Sequence, residues 1–282
     1  MLDVLKRTEG FLRDRGSMSA RLDAELLMGR TLGLDRVGVY LAYDRPLDED
    51  ETDRMRGLVR QRSTGLPVAY LLGTKEFYGL DLRVDSRVLV PRPETECLVD
   101  RCLELLDDRP ARAADVGTGS GAIACALAHE RAQLQLLATD IDPDAVAVAR
   151  ANVGRLIPDG RVTVVQADLL GPTEAGSLDL IASNPPYVAM GDALLHPHVA
   201  AHEPAVALYA PDEGLGLYAR LMPAASRSLR PGGWLVVELG QGQAPAVGDL
   251  AARAGLQVQD VKADLSGIPR VLAAQRPDAV RC

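Results

Sequence analysis

Cysteine is scarce in this chain. It occupies four of 282 positions, 97, 102, 125 and 282, and no two form a Cys-x-x-Cys pair. That excludes a small disulfide scaffold, argues against a thiolate zinc site and fits a reducing compartment. Aromatic residues are also few, with two Phe, one Trp and seven Tyr, so Leu, Val and Ala must fill the core. No window approaches the ~18 apolar residues of a membrane span. The start, Met1-Leu2-Asp3-Val4-Leu5-Lys6-Arg7, has no long apolar run either. Positive charge is in deficit: 31 basic against 39 acidic residues, net −8. A protein that grips DNA or RNA through phosphates carries the opposite balance. The expectation is a soluble cytoplasmic protein with no membrane partner and no direct nucleic-acid partner.

The remainder is globular. Hydrophobic residues make up 47% and charged residues 25%, which excludes a disordered chain or a collagen. The length allows one large domain, or a core domain plus a smaller one. Residues 1–72 read as a helical bundle. Leu22, Leu26, Leu27 and Met28 recur at helix spacing and Gly33 breaks the run. Residues 48–62 open with Asp48, Glu49, Asp50 and Glu51 and close with Arg60 and Arg62, the order the helix dipole favours. These charges read as a solvated face, with a docking surface as the alternative. Residues 73–90 form a linker in which Glu76 to Val84 alternates around Gly79, predicting a hairpin. The stretch Pro91-Arg92-Pro93-Glu94-Thr95-Glu96 follows, with Pro93 in the first turn of a helix running to about Leu106.

Residues 91–282 read as an α/β domain. Strands are expected at 113–116, 134–139, 162–166, 178–182, 234–238, 257–261 and 270–274. Helices are expected at 121–130, 143–153 and 215–229. Such alternation predicts a Rossmann-like, mostly parallel sheet covered by helices. Ligands bind such sheets at the carboxyl ends of the strands, where strand order reverses. Gly117-Thr118-Gly119-Ser120-Gly121 follows the first of these strands, so its backbone can pass close to a ligand. The loop also matches a loose dinucleotide fingerprint, so NAD remains open at this point. Asp140 ends the next strand about 20 residues on, which suits a carboxylate accepting two ribose hydroxyls. Asp142 is better placed to cap the helix opening at Pro143. Asp168 could accept an adenine amino group or sit in a surface turn.

Ser183-Asn184-Pro185-Pro186-Tyr187 follows the fourth strand of the domain. Asn184 can accept one N–H of a planar nitrogen through its side-chain oxygen, and Pro185 a second through its carbonyl. Two acceptors so placed turn the lone pair of a weakly nucleophilic nitrogen toward a methyl donor and stabilise the positive charge that grows on it. The prolines stiffen the loop. Tyr187 can pack its ring on the target group. Cys125 reads as core packing. His196, His198 and His202 carry no metal expectation: no Cys accompanies them, and Pro197 interrupts the local helix.

The glycine loop, Asp140 and Asn-Pro-Pro-Tyr together resemble class I S-adenosylmethionine-dependent methyltransferases acting on amide or exocyclic nitrogen. Further stretches narrow the resemblance. They are Gly65-Leu66-Pro67-Val68-Ala69-Tyr70-Leu71-Leu72-Gly73, Glu76-Phe77-Tyr78-Gly79, Val90-Pro91-Arg92-Pro93-Glu94-Thr95-Glu96, Glu203-Pro204, Glu238-Leu239-Gly240 and Asp264-Leu265-Ser266-Gly267-Ile268-Pro269-Arg270. Over nearly its whole length the chain is similar to the peptide chain release factor glutamine methyltransferases (the PrmC/HemK family). The resemblance implies S-adenosylmethionine as cofactor and class-one release factors as partners. The methyl group would go to the side-chain amide of the glutamine in their Gly-Gly-Gln loop, modulating translation termination. It also implies that Gly117, Thr118, Gly119, Ser120 and Gly121 line the methionine and ribose portion, and that Asp140 holds the ribose. Asn184, Pro185, Pro186 and Tyr187 would hold the acceptor. The N-terminal helices would grip the release factor, and the Pro-Arg-Pro-Glu-Thr-Glu stretch would wall the site. Leu169 departs from members with an aromatic residue there, so an aliphatic contact would replace adenine stacking.

Two rivals stand beside this reading. A DNA adenine N(6)-methyltransferase uses a similar loop but must flip its base and grip phosphates, against the charge of −8. A non-catalytic binding module would transfer no methyl group, and the intact Asn184, Pro185 and Asp140 argue against it. No exposed heptad stripe is evident, so a monomer is expected.

Overall fold

The computed structural model describes residues 1–192, 195–264 and 266–278. Leu265 of the closing motif and Cys282 lie outside the described residues. The chain forms two compact units, residues 1–75 with 195–202, and residues 76–194 with 203–282. Residues 195–202 thus cluster with the helical unit rather than with the sheet.

The first unit holds α1 (Leu2–Asp14), α2 (Ala20–Leu32), α3 (Arg36–Leu41), α4 (Glu49–Ser63) and α5 (Val68–Leu72). Leu5, Leu12, Leu27, Met28, Val39 and Met55 are buried together between these helices. Gly33, at φ +68, ends α2 in the left-handed conformation that glycine adopts without a Cβ clash. At the start of α4, Asp48 accepts the Glu51 N–H and Glu51 accepts the Asp48 N–H in return, a reciprocal box that stops fraying. The later helix of this unit, α9 (Pro197–His202), begins at the proline. Pro197 thus opens a helix instead of interrupting one, because the first position needs no N–H partner. His202 Nε2 lies 2.9 Å from the Thr64 carbonyl oxygen.

The hairpin strands are β1 (Thr74–Phe77) and β2 (Leu80–Arg83). The main sheet, among the described residues, has seven strands in the order β5-β4-β3-β6-β7-β9-β8. These are β3 (Ala111–Val116), β4 (Leu134–Asp140), β5 (Val162–Gln166), β6 (Leu178–Ser183), β7 (Leu229–Glu238), β8 (Gln257–Ala263) and β9 (Pro269–Gln275). The first five run parallel, and β9 pairs antiparallel with both β7 and β8. The helices α6 (Glu96–Leu105), α7 (Ala122–Glu130), α8 (Pro143–Leu156), α10 (Gly216–Ser228) and α11 (Ala244–Arg253) complete the unit. Asp142 caps α8 by accepting the Asp144 N–H.

Residues 113–116 are buried at both faces of β3, with Ala113 and Ala114 at its centre. Small residues suit a central strand covered by helices on both sides, which explains how so few aromatics suffice. Cys125 is fully buried on α7. The sheet is wound outward in two directions from β3, toward β4 and toward β6. The reversal places the loops after β3 and β6 side by side at the carboxyl edge, where α/β sheets bind ligands. Among the described residues, no helix is long and apolar enough to cross a membrane.

Candidate active site

Two backbone N–H groups anchor the glycine loop, those of Gly117 and Thr118, each 2.9 Å from the Thr139 carbonyl oxygen. The loop passes through φ +71 at Gly117 and +55 at Gly119, and a Cβ at either position would project into open space. That space belongs to a cavity of about 330 Å³ lined by the loop, Asp140, Leu169, Asn184 and Pro186. Gly121 sits behind, with α8 against it: an added Cβ would lie 3.4 Å from Ala149. Buried Asn152 donates to the Ser120 carbonyl at 2.8 Å and fixes the loop from below.

Two carboxylates brace this loop. Asp115 Oδ2 accepts the Thr118 hydroxyl at 2.6 Å and the Ala124 N–H at 3.1 Å. Burial pushes the Asp115 carboxyl up to about 7, against the pull of those two donors. Asp140 accepts the Gly119 N–H on one oxygen at 2.9 Å and the Asp142 N–H on the other at 3.0 Å. Burial holds its carboxyl above the ordinary carboxylate range despite both bonds. Each carboxylate oxygen keeps a further lone pair. Asp140 can therefore still accept two hydroxyls of a ribose, and the bare glycine backbone leaves room for it.

Asp168 also lines the cavity, but its carboxylate is paired with Arg220 of α10. Leu169 adopts φ +50, a costly conformation for a non-glycine residue and one found mostly at functional sites. The Thr139 hydroxyl holds it there by donating to the Leu169 carbonyl at 2.8 Å.

Across the cavity, Ser183 donates to the Val116 carbonyl at 2.7 Å and staples β6 to β3. Asn184, the next residue, lines the cavity and donates from Nδ2 to Thr95 Oγ1 at 3.1 Å. Thr95 donates in turn to Glu238 Oε2 at 2.6 Å. Pro186 lines the cavity and Pro185 is buried behind it. Tyr187 does not reach the cavity wall. Its hydroxyl donates to Glu238 Oε1 at 3.3 Å, and its carbonyl accepts the Gln243 side-chain N–H at 3.0 Å. Burial raises the Glu238 carboxyl, with the Thr95 and Tyr187 hydroxyls pulling the other way. Buried Glu203 accepts the Val90 N–H at 3.0 Å and pairs with Arg92, so it pins the proline-rich stretch that carries Thr95.

The structure thus brings the glycine loop, Asp140, Asp168, Asn184 and Pro186 to one cavity. Thr95, from the proline-rich stretch, and Arg220 line it as well, while Asp115 and Glu238 are buried outside its lining. A signal existed for Glu238, an acid closing the apolar run Trp234-Leu235-Val236-Val237 at a strand's carboxyl end. The histidines at 196, 198 and 202 belong to the helical unit.

Comparison with known proteins accords with this geometry. A family described as PrmC N-terminal domain matches residues 3–73, and one described as Methyltransferase small domain matches 95–201. A methyltransferase from Pyrococcus furiosus shares the fold at TM-score 0.54 and 20% identity, over 80% of this chain and 99% of that one. A ribosomal protein L11 methylase from Lactobacillus delbrueckii subsp. bulgaricus does so at TM-score 0.51 and 22% identity, over 70% and 85%. The doubly wound sheet with its glycine loop defines a Rossmann-like methyltransferase fold. Among relatives, the release factor glutamine methyltransferase of Geobacter sulfurreducens is 41% identical over 96% of this chain and 95% of its own. That of Bradyrhizobium diazoefficiens is 41% identical over 94% and 91%. This chain belongs to the release factor glutamine methyltransferase family.

Proposed function

We propose that this protein methylates the side-chain amide nitrogen of the glutamine in the Gly-Gly-Gln loop of class-one peptide chain release factors. S-adenosylmethionine, when bound, supplies an electrophilic methyl group on a sulfonium. The glycine loop accommodates its methionine and ribose portion and Asp140 accepts the ribose hydroxyls. Asp168, with Arg220 beside it, and Leu169 border the adenine end.

Asn184 carries the reading: it faces the same cavity as the glycine loop, with its amide nitrogen already engaged by Thr95. Its Oδ1 is left to accept one N–H of the acceptor carboxamide, and the Pro185 carbonyl accepts the other. With both N–H bonds held, the delocalised lone pair is directed at the methyl donor, and positive charge growing on nitrogen meets two acceptors. A protonated amide nitrogen is a strong acid and releases its proton to water, so no basic side chain is required. Pro186 shapes the acceptor wall. Tyr187 supports the ledge from behind through Glu238. The helical unit serves as the release-factor grip. The protein works as a cytoplasmic monomer without gripping nucleic acid.

Mass spectrometry of a class-one release factor incubated with the protein and S-adenosylmethionine should place one added methyl on the Gly-Gly-Gln glutamine. An unmodified glutamine, or tight salt-sensitive binding to duplex DNA, would overturn the proposal. Asn184→Ala should lower kcat by about 100-fold, the scale for one preorganised polar group. Calorimetry should find its affinity for S-adenosylhomocysteine unchanged.

A further inference from the structure

Asn184 can face an acceptor amide in two ways, and only one is productive. Turned with Oδ1 outward, it accepts an N–H. Turned with Nδ2 outward, it presents a donor to a donor. Nothing in Asn184 itself selects between these, because the two ends of a carboxamide have nearly the same shape.

The selection lies behind it. Glu238 closes β7, whose register pairs Val237 with Ser183 of β6, so Glu238 stands level with Asn184. Its side chain is buried at 2% exposure and Thr95 at 4%. Both oxygens of Glu238 act as acceptors here. Glu238 takes the one hydroxyl proton of Thr95 on Oε2 and that of Tyr187 on Oε1. Among the described residues it has no ion-pair partner; the nearby Arg270 is committed to Asp264 and the Leu239 carbonyl. With its proton committed, Thr95 Oγ1 can only accept from Asn184, which draws Nδ2 inward and leaves Oδ1 outward.

We propose that Thr95 and Glu238 are positioning residues that set the direction of the Asn184 carboxamide, and through it the preference for an acceptor nitrogen that donates. This rests on the acceptor role of Asn184 in the proposed function. A bulky apolar residue at 95 would fill the space but leave Nδ2 without an acceptor. An uncharged residue at 238 would let the Thr95 proton turn toward Asn184 and admit the reversed amide.

The test pairs each substitution with Asn184→Ala and uses full-length release factor as substrate. Thr95→Val should lower kcat about tenfold or more, as a misdirected reacting group does, with S-adenosylhomocysteine affinity unchanged. Thr95→Ser, which keeps the hydroxyl, should stay within about threefold of wild type. In the Asn184→Ala background Thr95→Val should add less than about twofold, because residues acting through one another are not additive. Glu238→Gln should behave as Thr95→Val does in both backgrounds and serves if that variant does not fold. NMR supplies a readout independent of turnover: the Asn184 side-chain N–H should exchange slowly with solvent in wild type and Thr95→Ser, and fast in Thr95→Val. Multiplying effects in the double variants, or equal Asn184 exchange in all proteins, would overturn the relay. A wild-type protein that leaves the release-factor glutamine unmodified, yet shows the exchange pattern, would overturn the assigned substrate and leave the relay standing.

Discussion

The buried acids of the helical unit and the acids beneath the glycine and Asn-Pro-Pro-Tyr loops are treated in opposite ways, although Glu203 of the sheet unit pairs with Arg92. In the helical unit each is closed off by arginine. Asp23 accepts Arg62, Ser17 and Ser19, and Glu25 accepts Arg21, Arg36 and Tyr40. Glu51 accepts Arg45 through both of its oxygens. Burial alone would raise the Glu25 carboxyl, but Tyr40 and the two arginines hold it below its ordinary range. In the sheet unit Asp115, Asp140 and Glu238 are held by hydroxyl and backbone donors alone, and burial keeps all three above that range. An acid neutralised by a cation is finished as structure. An acid left without one keeps lone pairs for a ligand or a neighbouring side chain, at a cost to stability. The difference separates a scaffold that fixes a surface from a site that works.

The largest expected effect tests the scaffold side. Asp23→Ala leaves the Arg62 guanidinium, its side chain 15% exposed, without its carboxylate. Breaking such a pair from one side costs about 3 kcal/mol. The helical unit should therefore melt earlier in differential scanning calorimetry, and release-factor affinity should fall while S-adenosylhomocysteine affinity holds. Equal loss of both affinities would remove the contrast between the units.

How much of this contrast was legible beforehand depends on distance along the chain. The placement of the glycine loop, Asp140 and Asn184 on one cavity could be read because it follows from local pattern: a strand, then a special residue. The helix at residues 48–62 could be read for the same reason, its cap lying within four residues. Arg62 on Asp23 is 39 residues apart, Thr95 on Glu238 143 and Arg92 on Glu203 111, and no periodicity records such pairings. The sequence lets Tyr187 pack its ring on the target group, but an aromatic after Pro-Pro is free to face either way. Its partner Glu238, 51 residues later, turns it inward. Pro197 is ambiguous in the sequence because the residue that interrupts helices also starts them, as it does here.

The next effect tests the site side. Asp140→Asn offers one acceptor oxygen where the carboxylate offers two, so it must surrender either the Gly119 N–H or the Asp142 N–H, as well as a ribose hydroxyl in the proposed function. Affinity for S-adenosylhomocysteine should fall by about 30-fold, the scale for hydrogen bonds to a charged group. Folding should be little changed, since no buried cation is stranded. A stability loss like that of Asp23→Ala would mean that Asp140 belongs with the structural acids.

The smallest effect is also the most discriminating, because the two kinds of acid give pH responses in different windows. Asp115 titrates near 7 in the folded protein against an ordinary value of 3.8. Between those values the folded chain keeps a proton that the unfolded chain has released, so stability falls as pH rises from about 4 to about 7 and then levels off. Asp115→Asn removes that slope. The melting temperature of the variant relative to wild type should climb by roughly 5 °C between pH 5 and pH 8, whatever the starting difference. Glu25 lies on the other side. Its folded value is lowered, so its contribution is complete above the unfolded value near 4.5 and is lost as pH falls through the folded one. Glu25→Gln should therefore differ from wild type by a constant amount from pH 5 to pH 8, with the gap closing only in more acidic solution. Parallel curves for both variants over the neutral range would show that Asp115 is compensated as fully as Glu25, and the distinction between sealed and open carboxylates would not hold at the base of the glycine loop.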